Sequence, residues 1–373
     1  MTARQKLLIP AAILIAVLAI DIPELSAQEI DFNRDVRPIL SNNCFQCHGP
    51  DAAARQAELR LDNAEGISEQ RDPPLIVKGN ISQGEFLHRI MTDDGDLIMP
   101  PADSNRELTP QQIETLKRWV EQGAEYSVHW SFTPPEKREL PKLQNPQWPR
   151  NDIDHFILAK LEQRGYAPSP EAAKRTLIRR VTFDLTGLPP TSQEVADYLA
   201  DTSDKAYENV VNRLLNSSRY GEHMAWSWLE ASRYSDTNGY QGDRTRSSYF
   251  WRTWVIEAFN NNKPFNDFTV EQIAGDLLDN PTTSQLIATG FNRNHPLNGE
   301  GGRIAEENRV EYVFDRTETT STVWMGLTVG CARCHDHKYD PISQREYYEM
   351  YAYFNSIEES GRVDAGGNAN PVM

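Results

Sequence analysis

The sequence predicts a mainly α protein of two domains, a small one followed by a larger one. Three observations carry this reading. Apolar residues recur at helical spacing through most of the chain, several of those segments open with capping boxes, and one proline-rich stretch divides the chain without any apolar period.

The elements can be justified in order. Arg4 and Lys6 precede an apolar run from Leu7 to Ile20, and the small residues Ser26 and Ala27 follow. This is the order of a secretory signal, predicted over residues 1–27, with a run too short to span a bilayer comfortably. Residues 28–130 form the small domain. Asp35 to Leu40 reads as a short helix running into Cys44-Phe45-Gln46-Cys47-His48. Ser82-Gln83-Gly84-Glu85 reads as a capping box opening a helix through Met91. Thr109-Pro110-Gln111-Gln112 is another, with proline at the first helical position, opening a helix whose apolar face is Ile113, Leu116, Trp119 and Val120 and which Gly123 stops.

Residues 131–149 carry five prolines among charged residues and read as a stiff extended linker. The larger domain is predicted over 150–358. Ile153, Phe156, Ile157, Leu158 and Leu161 follow helical spacing, and Thr191-Ser192-Gln193-Glu194 is a capping box leading into Val195, Tyr198 and Leu199. Tyr220 to Tyr234 and Ser248 to Phe259 are aromatic-rich helical segments expected in the core, and Glu346 to Phe354 is a last helix. The Gly- and Asn-rich residues 359–373 are expected to be disordered.

All four cysteines fall into two copies of one pattern, the first at Cys44–His48 and the second at Cys331-Ala332-Arg333-Cys334-His335. Cys-x-x-Cys-His is the attachment signature of c-type haem. Two thiols one helical turn apart can form thioethers to the two vinyl groups, and the adjacent imidazole then lies under the iron. A single Cys₄ zinc site would need the pairs hundreds of residues apart, against roughly 12–20 usually, and would leave both histidines unexplained. A redox-active Cys-x-x-Cys wants a strand-to-helix setting.

These residues point to haem c and its iron, held covalently by Cys44 and Cys47 with His48 as metal ligand, and again by Cys331 and Cys334 with His335. Met99, in Leu97-Ile98-Met99-Pro100-Pro101, is the candidate distal ligand of the first iron, with His88 and Met91 as its competitors. The second motif has no such Met-Pro loop after it. Met325 lies just before it, Met350 falls on a helix, and His337 is too close to His335 to cross the haem. His295 is a candidate catalytic residue, as a reversible ligand or a proton carrier at an open iron. It sits in a dense polar stretch from Asn292 to Asn308 that, with Asp236 to Arg246, reads as solvated loops or a ligand site.

Phe32-Asn33-Arg34-Asp35-Val36-Arg37-Pro38-Ile39-Leu40-Ser41, running into Cys44–Pro50 and joined by Met99-Pro100-Pro101, resembles the planctomycete-type cytochrome c domain. From Trp148 onward the chain is similar to the uncharacterised domain that follows it in that family. Asp184–Pro190, Phe265–Thr269 and Gly330–Lys338 are that domain's recurrent phrases. The resemblance covers nearly the whole chain after residue 27 and implies a small class I-like cytochrome c domain, haem binding and electron transfer. Members commonly continue into a further C-terminal domain.

The net charge of −16 is unchanged by removing residues 1–27 and argues against nucleic acid and anionic membrane surfaces as partners. The expected function is that of an exported, periplasmic or otherwise secreted dihaem cytochrome serving a redox partner protein, not integral to the membrane once the signal is removed. Two other classes stay open: an oxidoreductase reacting at the second haem, and a carbohydrate- or surface-binding module with a redox attachment.

Overall fold

The computed structural model describes residues 29–240 and 243–362, so the predicted signal and the tail beyond residue 362 lie outside the described residues. The chain is mainly α. Among the described residues there is no β-strand, only one antiparallel bridge between Thr237 and Thr245. Two compact units divide near Thr133, the first also excluding residues 50–53.

In the first unit, a π turn at Phe32–Val36 runs into α1 (Arg37–Asn43) and then α2 (Phe45–His48). The Asp31 side chain accepts from the Arg34 amide and starts this run earlier than the sequence predicts. Short α3 (Ala64–Ser68), α4 (Glu85–Met91) and α5 (Pro110–Glu121) follow. The Thr109–Gln112 capping box forms as expected, and Gly123 ends α5 with φ 106°. Trp119 of α5, 2% exposed, anchors the core: its ring lies 5.7 Å from Phe32 and 6.2 Å, edge-on, from Phe86. Its indole nitrogen donates to the Glu125 carbonyl. The aromatic helix therefore packs against the segment that leads into the first cysteine motif.

One predicted cap is corrected. Ser82 does not cap α4; Gly84 takes the position with φ 99° and no side-chain bond. The Glu85 and Phe86 amides are instead taken by the carbonyls of Pro74 and Leu75. A Cβ on Gly84 would lie 2.8 Å from the Leu75 oxygen, so the close backbone approach that replaces the box also requires glycine.

The second unit has ten α-helices among its described residues. Residues 134–151 contain none, and the Gln144 and Asn145 amides are fastened to the Glu162 carboxylate. That carboxylate belongs to α6 (Asp152–Gln163), which buries Leu158 but leaves Ile153, Phe156 and Ile157 exposed, so its predicted apolar stripe is mostly uncovered. Then come α7 (Lys174–Thr186), α8 (Ser192–Ala200) and α9 (Ala206–Leu215), which share a core of Ile178, Tyr198, Val210 and Leu214. The Thr191–Glu194 box forms at the start of α8.

The next group is α10 (Ser218–Ala231), α11 (Tyr249–Asn260), α12 (Phe265–Ala274) and α13 (Thr283–Ala288). It encloses the predicted aromatic core: Trp251, Trp254 and Phe268 are buried, with Trp228 edge-on to Phe268 at 4.9 Å. Last, α14 (Ala305–Thr320) and α15 (Gln344–Asn355) hold Phe314, Val329, Ala332 and Tyr347 between them. Two boxes the sequence reading did not single out cap α13 at Thr282 and α15 at Ser343. No helix among the described residues is long and apolar enough to cross a membrane.

The polar stretch around Asn292 is also corrected: much of it is interior. Asn238, Arg246, Asn292, Asn294 and His295 are buried. The Arg246 guanidinium donates to the carbonyls of Ser235, Asn294 and His295, drawing these loops inward. A planar cation with five donors satisfies several otherwise stranded carbonyls at once, which a solvated loop would leave to water.

Candidate haem-attachment sites

The first motif occupies one turn of helix. The Leu40 carbonyl accepts from the Cys44 amide, and the Cys44 carbonyl accepts from both Cys47 (3.1 Å) and His48 (2.8 Å). That winding places the two sulfurs on neighbouring positions of one face. Phe45, 1% exposed, pins the turn into the core, while Gln46 faces out and accepts from Arg106 at 2.7 Å. A Cβ on Gly49 would lie 2.2 Å from the Phe45 carbonyl oxygen, so the residue after His48 must be glycine for the chain to leave the turn.

All four cysteines are free thiols in the structure. Burial pushes the Cys44 thiol up to about 12 and keeps it neutral at physiological pH. Burial also lowers the His48 pKa, with the Arg71 and Arg89 guanidiniums acting in the same direction and the Gln56 backbone opposing them. Neutral imidazole is the ligating form. The His48 Nδ1 is buried and has no hydrogen-bond partner, a position a native protein rarely tolerates unless the ring serves something else. The donor chemistry at Cys44, Cys47 and His48 therefore fits covalent haem.

Met99 is half-buried, and its amide donates to the Arg89 carbonyl at 2.9 Å. Arg89 is the residue whose guanidinium bears on His48, so α4 ties the Met99 loop to the neighbourhood of the imidazole. The competitors are less enclosed: His88 is exposed and Met91 is 50% exposed at the end of α4.

The second motif is built differently. Cys331 lies in a 3₁₀ turn (Val329–Arg333), and Cys331, Cys334 and His335 are all exposed, while Ala332 between the cysteines is fully buried. The Arg333 carbonyl accepts from Gln344 and Tyr348 of α15, which fixes the turn from below. The His335 Nδ1 pairs with the Asp336 carbonyl at 2.7 Å. A carbonyl can only accept, so the proton sits on Nδ1 and Nε2 keeps its lone pair, the tautomer a metal-ligating imidazole needs. These residues also fit haem attachment, on the outside of the unit.

His295 lies apart from such exposure. It is 1% exposed, stacked on Tyr312 at 4.3 Å, with Nδ1 paired to the Pro296 carbonyl and Nε2 at 2.8 Å from Arg316. A guanidinium only donates, so Nε2 is its acceptor and both ring nitrogens are committed. Burial, reinforced by Arg316, pushes the His295 pKa well below its ordinary value. Here it is a neutral internal hydrogen-bonding group.

Among the described residues, no group of three or more His, Cys, Asp and Glu side chains could hold a metal ion. A haem iron takes fewer protein ligands than that and is not a site of this kind.

A mainly α chain with a Cys-x-x-Cys-His turn seated in a small helical unit has the features of a c-type cytochrome. Residues 44–103 match the family described as Planctomycete cytochrome C, and residues 152–359 match a family described as a protein of unknown function, DUF1549. The second match covers more than half of the chain, and the protein belongs to that family, with a planctomycete-type cytochrome c domain before it. No curated protein and no solved structure matches the chain.

Proposed function

We propose that the protein is an exported dihaem cytochrome that passes electrons between a haem at Cys44, Cys47 and His48 and one at Cys331, Cys334 and His335. The observation that carries the reading is the first motif's single helical turn, with a half-buried imidazole whose enclosed Nδ1 has no hydrogen-bond partner and whose pKa burial lowers. Haem supplies a one-electron iron couple, and the chain's own residues set how it is held. Cys44 and Cys47 would anchor it, with the His48 imidazole and the Met99 thioether as the protein ligands of its iron. Phe32, Phe45 and Trp119 keep the surrounding core dry. A low local dielectric and a neutral thioether both disfavour the more highly charged ferric iron, which raises the potential.

Export rests on the N-terminal signal pattern, and it would deliver the chain to the compartment where haem c is attached in bacteria. The acidic surface suits a basic redox partner. A pyridine haemochrome count and optical spectra of the purified protein test the reading. Two covalent haems, both low-spin, are expected. One haem, or none, would overturn the dihaem assignment.

A further inference from the structure

We infer that Met325 supplies the thioether opposite His335 to a haem held at the second motif. This rests on the dihaem reading above.

The floor of the motif is rigid. Ala332 and Val329 are packed with Phe314 and Tyr347, and a Cβ on Gly330 would lie 3.3 Å from the Glu318 carboxylate. Cys331, Cys334 and His335 stand above this floor in solvent. A porphyrin attached there needs apolar protein surface beside it to bury part of its ring. One such surface begins two residues before Cys331. A groove of about 140 Å³ runs from Val329 along Leu327 and Ile342, past Tyr347, and carries both Met325 and Met350.

Two thioethers in one apolar groove, which shares Val329 and Tyr347 with the motif's floor, are the soft ligand class that haem iron accepts. They are not equivalent. Met350 is held within the groove, its sulfur 3.4 Å from the buried Ser321 hydroxyl oxygen, whose proton goes to the Thr317 carbonyl. Met325 is 49% exposed at the rim, at the end of a π turn, and Gly326 follows it with φ 65°. That placement leaves its three side-chain torsions free to reach out of the groove. The nearby imidazole does not compete: His337 is buried, and its Nδ1 accepts from the amides of Tyr339 and Asp340.

The test uses the full-length reduced protein with ¹³C-methyl-labelled methionine. A methionine bound to low-spin ferrous haem shows its methyl signal shifted far upfield by the ring current. Two such signals are expected. Met325→Leu, which keeps the groove filled, should lose one of the two, and Met350→Leu should keep both. Two covalent haems with both signals surviving in Met325→Leu would overturn the inference while leaving the dihaem reading intact. Loss of a signal in Met350→Leu would overturn it in favour of that residue. A haemochrome count of one haem would sink the dihaem reading itself and this assignment with it.

Discussion

Arg316 and Glu359 form a bidentate ion pair in which each side chain is only 2% exposed, with Nη2 and Oε2 2.7 Å apart. The same guanidinium donates from Nε to the Asn292 carbonyl at 2.7 Å and from Nη2 to His295. Four polar groups from three separated stretches of sequence thus saturate one another inside the second unit. Glu359 is brought there by the segment after α15.

The first prediction follows from that pairing. Glu359→Gln removes the counter-charge and leaves a guanidinium buried, which costs about 3–5 kcal/mol. Urea or thermal unfolding of the second unit should show a destabilisation of that order. A loss below about 1 kcal/mol would mean the pair is solvated in solution.

A second prediction concerns pH. The His295 pKa is depressed on folding, so the unfolded chain binds the proton more readily. Its contribution to stability is fully present above the unfolded value of about 6.5 and is lost as pH falls below it. The unfolding free energy should decline from about pH 6.5 downward, and the decline should be shallower in His295→Gln. Parallel pH profiles for the two proteins would refute the assignment.

Third, Cys44→Ala with Cys47→Ala should abolish covalent haem in the first unit. Staining for haem after denaturing electrophoresis of the full chain should fall to the signal of the second motif alone. An unchanged stain would show that the first motif does not carry haem.

Fourth, Met99→Ala should remove the weak red absorption of a ferric methionine–haem bond at the first site and lower its reduction potential. Spectroelectrochemistry separates the two haems for this purpose. If band and potential both survive, another sulfur is the ligand and Met91 is the first alternative.

Much of the first unit was legible because its determinants are local. Thr109 and Gln112 satisfy each other's backbone across one turn, and Gly123 ends the helix wherever the rest of the chain lies. The same holds for Thr191 with Glu194. Ser82 misled because its competitors, the carbonyls of Pro74 and Leu75, are seven or more residues away and invisible to a local rule. Ile153 and Ile157 misled for a related reason: periodicity identifies an apolar face but not whether anything covers it.

The polar stretch shows the limit most clearly. Asn292, Asn294, His295, Arg246 and Arg316 are residues that composition assigns to solvent. Their burial depends on cations and carbonyls that meet only when α14 and three loops converge.

By itself the sequence determined the α class, the caps that act within one turn, and both Cys-x-x-Cys-His motifs, because thioether chemistry is set by residue type and spacing. The tertiary structure decided what spacing cannot carry, namely which way each motif faces. Phe45 anchors the first motif in a core and leaves Cys44 and His48 half-buried, with the His48 Nδ1 enclosed and without a partner, whereas Ala332 seats the second on a packed floor with Cys331, Cys334 and His335 outward. The physical reason is that burial belongs to the neighbours a residue acquires, and those neighbours come from distant parts of the chain.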